Sequence, residues 1–168
     1  MNVTRKVAYS VVLAAIAIAL SPLSIPVAGA KIYPWQAMVN VLAGVLVGPW
    51  YAVVVALVAA IARNALGTGT LFAFPGSVIG AFLVGLLYRL TRNVYLAAPG
   101  EVIGTGLIAA LISTALWAPL VMSHHMELLA LIVPFLSASL PGAVIGVVAV
   151  KILERAGLVS LRQMRHQS

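Results

Sequence analysis

The side chains best suited to bind a small molecule stand in three stretches that separate long apolar segments. These stretches are residues 21–40, 61–76 and 116–129. They hold amides, hydroxyls, an arginine, histidines and tryptophans, which donate or accept hydrogen bonds or stack on flat rings. The other connections are short or mainly basic. This distribution predicts that the groups able to recognise a ligand lie together at one end of the molecule.

Each polar candidate also has a structural interpretation. Gln36 and Asn40 are four residues apart and share one helix face, so they could join two helices or contact a ligand. Arg63 could extend to lipid headgroups or point inward to an anionic or hydrogen-bonding ligand. Trp35 and Trp117 suit an aromatic belt at a membrane interface or the walls of a site for a flat ring. The residue types alone leave both interpretations open.

Catalysis and metal binding find little support in the sequence. The chain has no cysteine, no aspartate and only three widely spaced glutamates, which removes paired-carboxylate and thiolate chemistry. It contains no nucleophile elbow, zinc-protease motif or P-loop. His124 and His125 are adjacent, and neighbours on a helix point about 100° apart, so a shared metal ion is disfavoured. We expect no enzyme and no cofactor, and Glu101 is interpreted as a helix-dipole residue starting the fifth apolar segment.

The elements that position these residues are membrane helices. Hydrophobic residues make up 63% of the chain and charged residues 8%, whereas soluble domains carry roughly 25% charged residues. Such a surface must mostly face lipid. The first span is expected to be retained as a helix rather than cleaved as a signal peptide. We predict a single transmembrane substrate-binding domain over residues 1–168, with spans at about 7–20, 36–48, 50–66, 75–90, 102–121 and 128–153.

The distribution of basic residues predicts the topology. Residues 36–66 could form one helix kinked at Pro49 or two helices that turn at Gly48 and Pro49. Two helices make six spans with both termini in the cytoplasm, and basic residues favour that side. The cytoplasmic side then holds Arg5, Lys6, Arg89, Arg92, Lys151, Arg155, Arg162 and Arg165, and the outside holds Lys31 and Arg63. The sequence therefore predicts an all-α integral membrane protein of the cell membrane, a compact bundle of six transmembrane helices, with the three polar stretches outside.

One sequence segment occurs twice in the chain. FPGSVIGAFLVGLLYR occupies residues 74–89, and LPGAVIGVVAVKILER occupies residues 140–155. Both copies are expected to run inward from an outer Pro-Gly. Their glycines recur four residues apart, a spacing that lets membrane helices pack closely. The repeat thus predicts two related helices flanking the outer polar region.

The first helix has a face of small residues that includes Ala15 and Ala19, which would let another membrane helix approach. With the six short spans and the long first outer loop, this pattern resembles the S components of energy-coupling-factor (ECF) transporters over nearly the whole chain. Within that group, ARNALGTGTLFAFPGSVIGAF (residues 62–82) and PFLSASLPGAVIGV (residues 134–147) are similar to the ThiW family, which is linked to the thiazole precursor of thiamine.

The resemblance implies a mechanism. The S component captures its ligand at the outer end of the bundle under a lid formed by the first outer loop, here residues 21–35. It docks through Ala15 and Ala19 onto a membrane T component, and two ATPase subunits power import. The ligand would be hydroxyethylthiazole, with Tyr33 among the aromatic walls. The expected substrate-binding residues are Trp35, Asn40, Arg63, Asn64, Phe72, Trp117, His125, Ser137 and Ser139.

Other functions stay open at this point. The chain could be an S component for another vitamin or precursor, a stand-alone membrane transporter of small solutes, or a structural membrane protein. A metal-uptake S component is disfavoured, because those proteins carry histidine directly after the initiator methionine and this chain carries Asn2.

Overall fold

The computed structural model describes residues 2–27, 30–122 and 127–159. These residues form six helical segments and one short hairpin. The hairpin pairs β1 and β2 antiparallel, with Ile25 opposite Ile32. The bounds are α1 Val3–Ala19, β1 Ile25–Val27, β2 Ala30–Ile32, α2 Pro34–Leu46, α3 Pro49–Ala65, α4 Ala73–Thr91, α5 from Val94 to Met122, and α6 Leu128–Arg155.

The region that could have been one kinked helix is two. Gly48 has a φ of +87°, a backbone conformation that residues other than glycine rarely adopt. Pro49 starts α3, where its missing N–H costs nothing because the first turn of a helix does not use that group. Pro34 starts α2 in the same way. The expected six helices are therefore present in the described part of the chain.

The fifth helix begins earlier than its apolar sequence indicates. It starts at Val94 rather than Val102, because the Asn93 side chain accepts a hydrogen bond of 2.9 Å from the Tyr95 backbone and caps the first turn. The helix continues through Pro99–Glu101 and then widens into π-helical turns at Val102–Ala109 and Ser113–Met122. Glu101 is consequently inside α5, and the interpretation of this residue as a helix-starting carboxylate is wrong.

Helix α2 lies at the centre, and most of its side chains are buried. Helix α6 packs on it through glycines, as the repeat predicts. A Cβ on Gly142 would meet Ala37, and one on Gly146 would lie 2.7 Å from the Val41 Cβ. The second Pro-Gly of the repeat does not start a helix, however, because Pro141 lies well inside α6.

Among the described residues, three helical stretches are long and apolar enough to cross a membrane, namely Ala73–Thr91, Val94–Val121 and Leu128–Arg155. Helices α2 and α3 are shorter and also apolar. Large apolar side chains cover much of the outer surface, as lipid requires; Val54, Leu107 and Val144 are all exposed. The chain is an all-α membrane protein.

Candidate ligand-binding cavity

A cavity of about 280 Å³ opens where α2 begins and α3 ends. Helices α2 to α6 and the residues after the hairpin all contribute to its lining. Apolar and aromatic side chains make most of the wall, and a few polar groups converge within it. Such a mixture is usual for small-molecule sites. The polar and aromatic side chains of the lining include Tyr33, Gln36, Asn40, Arg63, Phe72, Glu101, Thr105 and Phe135.

A chain of hydrogen bonds runs through these polar groups. Arg63 Nη1 donates to Gln36 Oε1 at 3.1 Å, and Gln36 Nε2 donates to Asn40 Oδ1 at 3.1 Å. Asn40 Nδ2 then donates to the Glu101 carboxyl oxygens at 3.1 and 3.2 Å. The chain thus joins α3, α2 and α5 and links a guanidinium to a carboxyl group through two amides.

Arg63 points inward and does not extend to the surface. Its side chain is buried, with 2% of its area exposed, and its guanidinium lies 4.1 Å from the centre of the Tyr33 ring. This cation–π contact and the bond to Gln36 hold the guanidinium in place. Its Nε has no hydrogen-bond partner among the described residues. A buried donor without a partner is costly unless a ligand or water accepts from it, so Arg63 is ready to bind an acceptor.

Glu101 is a polar residue of the cavity wall that the sequence did not predict to lie there. Its side chain is fully buried and lines the cavity. Thr105, one turn later on α5, donates to Glu101 Oε1 at 2.8 Å. Close packing of α4 on α5 makes the arrangement possible, since a Cβ on Gly80 would meet both Glu101 and Thr105. A carboxyl group within a membrane helix was itself the signal that could have identified it.

Three of the predicted residues, Asn40, Arg63 and Phe72, line the cavity. Two others nearby support its frame. Trp35 Nε1 donates to the Leu23 carbonyl oxygen at 2.8 Å and so ties α2 to the lid loop. Asn64 Nδ2 donates to the carbonyl oxygens of Ala60 and Thr70, at 2.9 and 3.1 Å, and so holds the turn between α3 and α4.

The remaining candidates lie elsewhere. Trp117 does not line the cavity, and its ring stacks near Phe74 at 6.1 Å between centroids. Ser137 and Ser139 do not line it either, because Leu131, Pro134, Phe135 and Ala138 form the helical stripe of α6 that does. The Ser139 hydroxyl donates to the Leu136 carbonyl oxygen at 3.5 Å. His125 lies outside the described residues.

The predicted lid contributes to the cavity wall, whereas the predicted docking residues are exposed on α1. The lid, residues 21–35, contains the hairpin and supplies Ile32 and Tyr33 to the cavity wall. The Ser21 and Thr68 hydroxyls share a hydrogen bond of 2.9 Å, which joins the lid to the turn after α3. On α1, Ala15 and Ala19 are exposed and lie on the outward face of the helix, whereas the nearby Ala14 is buried.

A helical membrane bundle with a solute-sized, partly polar cavity is suited to bind a small solute. The family model for ThiW, the thiamine-precursor transporter protein, matches residues 7–156. The chain therefore belongs to the ThiW family, and the membership predicted from the two sequence strings is confirmed. No curated protein and no solved structure matches the chain. Membership in a transporter family is consistent with a protein that is not an enzyme.

Proposed function

We propose that this protein is the substrate-capture subunit of an ECF-type importer and binds hydroxyethylthiazole in the cavity at the outer face of the cell membrane. The observation that carries the proposal is the chain of hydrogen bonds from Arg63 to Glu101 inside an otherwise apolar cavity. Membership in a family of thiamine-precursor transporters supports it.

The chemistry of the cavity suits this ligand. Hydroxyethylthiazole is a small, flat, neutral ring with one hydroxyl group, so it needs aromatic walls and a few directed hydrogen bonds. Phe72 and Phe135 provide aromatic surface, while the face of Tyr33 is occupied by Arg63. Hydrogen-bonding groups of both kinds are available from Arg63 and Glu101. With one basic and one acidic side chain on its wall, the cavity is suited to a ligand without net charge.

The lid and α1 support the remaining parts of the proposal. The hairpin of the lid lies beside the cavity mouth, where it can close over a bound ring. Ala15 and Ala19 are small and exposed on α1, next to the exposed Val12 and Ile16, so a helix from the T component could approach closely at the two alanines. Because the sequence has no P-loop, ATP hydrolysis must come from partner subunits.

Uptake of labelled hydroxyethylthiazole into proteoliposomes tests the proposal. The liposomes would contain this protein with the T component and two ATPase subunits. We expect uptake that requires ATP, and we expect the double substitution Ala15→Trp and Ala19→Trp to abolish it while ligand binding by the isolated subunit is kept. Bulky side chains on this face would prevent a partner helix from approaching.

The matched control is Ala115→Trp, which places the same side chain at an exposed alanine on α5. This variant should transport normally. Uptake that proceeds without the ATPase subunits would contradict the ECF mechanism. Unchanged uptake by the double variant would remove α1 as the docking face.

A further inference from the structure

Glu101 has more capacity to accept hydrogen bonds than its neighbours supply. A carboxyl group offers about four acceptor positions when ionised. The described neighbours provide two donor groups, Asn40 Nδ2 at 3.1 and 3.2 Å and Thr105 Oγ1 at 2.8 Å. The side chain is fully buried, and the one ion pair among the described residues joins Lys151 and Glu154 elsewhere. Glu101 therefore lacks a charged partner within the part of the chain that the structure describes.

Both donors are also shared with other acceptors. Asn40 Nδ2 lies 3.2 Å from the Ser77 carbonyl oxygen, so one of its two hydrogens is used there. Thr105 Oγ1 lies 2.7 Å from the Gly76 carbonyl oxygen and has a single hydrogen for both contacts. An acceptor left short of donors in a dry site is costly. A ligand that brings a hydrogen to Glu101 would remove that cost.

At the other end of the chain of hydrogen bonds, a donor lacks an acceptor in the described structure. Arg63 Nε is a buried donor without a partner among the described residues. Gln36 and Asn40, which connect the two ends, are four residues apart on α2, or about 6 Å along the helix axis. Within the described ranges, the cavity wall therefore carries a donor without a partner on α3 and a carboxyl group short of donors on α5, joined through the amides of Gln36 and Asn40.

We propose that Glu101 is the specificity-determining residue that accepts a hydrogen bond from the free hydroxyl group of the ligand, while Arg63 donates to its ring nitrogen. This inference rests on the proposed function and names the form of the substrate as the unphosphorylated alcohol. A phosphate ester on the same arm would bring a strongly charged group to the buried Glu101 end of the cavity, where no cation of the described residues faces it, and desolvating that charge is strongly unfavourable. A methyl ether would keep the shape of the arm and lose the hydrogen.

Calorimetric titration of the purified protein with three probes tests the inference. The probes are hydroxyethylthiazole, its methyl ether and its phosphate ester. We expect the alcohol to bind at least about tenfold more tightly than the ether, as loss of one hydrogen bond to a buried acceptor implies. The phosphate ester should bind more weakly than the alcohol. An ether that binds as tightly as the alcohol, or a phosphate ester that binds more tightly, overturns the inference.

The Glu101→Gln variant tests whether Glu101 recognises the hydroxyl group of the ligand or only supports the shape of the cavity. The amide has nearly the same shape, no charge, and its own N–H group to donate to an ether oxygen. The preference for the alcohol over the ether and the phosphate ester should therefore shrink in this variant. Glu154→Gln removes the same charge from the surface pair with Lys151 and should keep the full preference. An unchanged preference in Glu101→Gln also overturns the inference.

The two proposals fail in different ways. If the wild-type protein binds none of the three thiazoles, the proposed substrate is wrong, and the assignment of Glu101 to its hydroxyl group falls with it. If the alcohol binds but is not preferred, the proposed function stands and the role of Glu101 is refuted. Because the comparison of the three probes uses wild-type protein, the result does not depend on whether Glu101→Gln folds.

Discussion

At the scale of single residues, the two asparagines suggested by the sequence have different roles. Asn40 faces the cavity and donates to Glu101, whereas Asn64 uses its amide to hold backbone carbonyl oxygens of the turn after α3. The residue type is the same, and both lie in short apolar helices. Only the rotation of each helix, which packing determines, decides which asparagine contacts a ligand.

We predict that Asn64→Ala lowers stability and keeps ligand affinity. The variant loses two hydrogen bonds to backbone oxygens that are partly open to solvent, so the cost should be about 1 kcal/mol. Thermal unfolding in detergent and calorimetric titration with hydroxyethylthiazole would measure the two effects. Asn40→Ala should instead weaken ligand binding by about tenfold or more, because it interrupts the chain of hydrogen bonds from Arg63 to Glu101. Strong loss of affinity in Asn64→Ala with unchanged stability would place that residue in the site.

Arg63 and Glu101 show which cavity residues the sequence could predict and which it could not. Arg63 was identified because an arginine at the end of a membrane helix is unusual outside the basic side, although its direction was open. Glu101 was misplaced because the apolar run appeared to begin after it, at Val102. The cap at Asn93 moves the helix start back to Val94 and carries Glu101 into the bundle.

At the scale of elements, a glycine of the repeat and a glycine of α5 differ in what surrounds them. Gly76 lies in the first turns of α4, and a Cβ there would lie 3.6 Å from the ring of Phe135, an ordinary contact. Gly104 on α5 is different, because a Cβ would lie 2.7 Å from the Cα of Gly80 and 2.9 Å from its backbone nitrogen. The close crossing of α4 and α5 therefore depends on Gly104.

We predict that Gly104→Ala destabilises the protein by about 1–3 kcal/mol, the usual cost of overpacking. The neighbouring atoms belong to the backbone of α4 and cannot turn away, so the two helices must separate. Gly76→Ala is the matched control, and its unfolding temperature should stay equal or rise, since alanine favours a helix by about 1 kcal/mol over glycine. Thermal unfolding of both variants in the same detergent measures the difference, and equal stability of the two would contradict the assigned packing.

At the scale of the whole molecule, composition predicted the fold class and helix number well. A chain with 63% hydrophobic residues has few alternatives to a helical membrane bundle, and the distribution of basic residues favoured two helices with a turn at Gly48 and Pro49. The location of the cavity also agreed with the expectation that polar groups gather at one end. Sequence could not give the hairpin in the lid, which depends on pairing of two three-residue strands, or the faces of α5 and α6 that line the cavity.

At the centre of the proposed function is the binding of a thiazole precursor of thiamine between Arg63 and Glu101. Mass spectrometry of the small molecules that copurify with the protein, from cells supplied with hydroxyethylthiazole, tests this claim most directly. We predict that the wild-type protein and an Arg89→Ala control at the other end of α4 carry the thiazole, and that Arg63→Ala does not. A different bound compound in the wild-type protein, or an equal amount of thiazole in Arg63→Ala, would contradict the account.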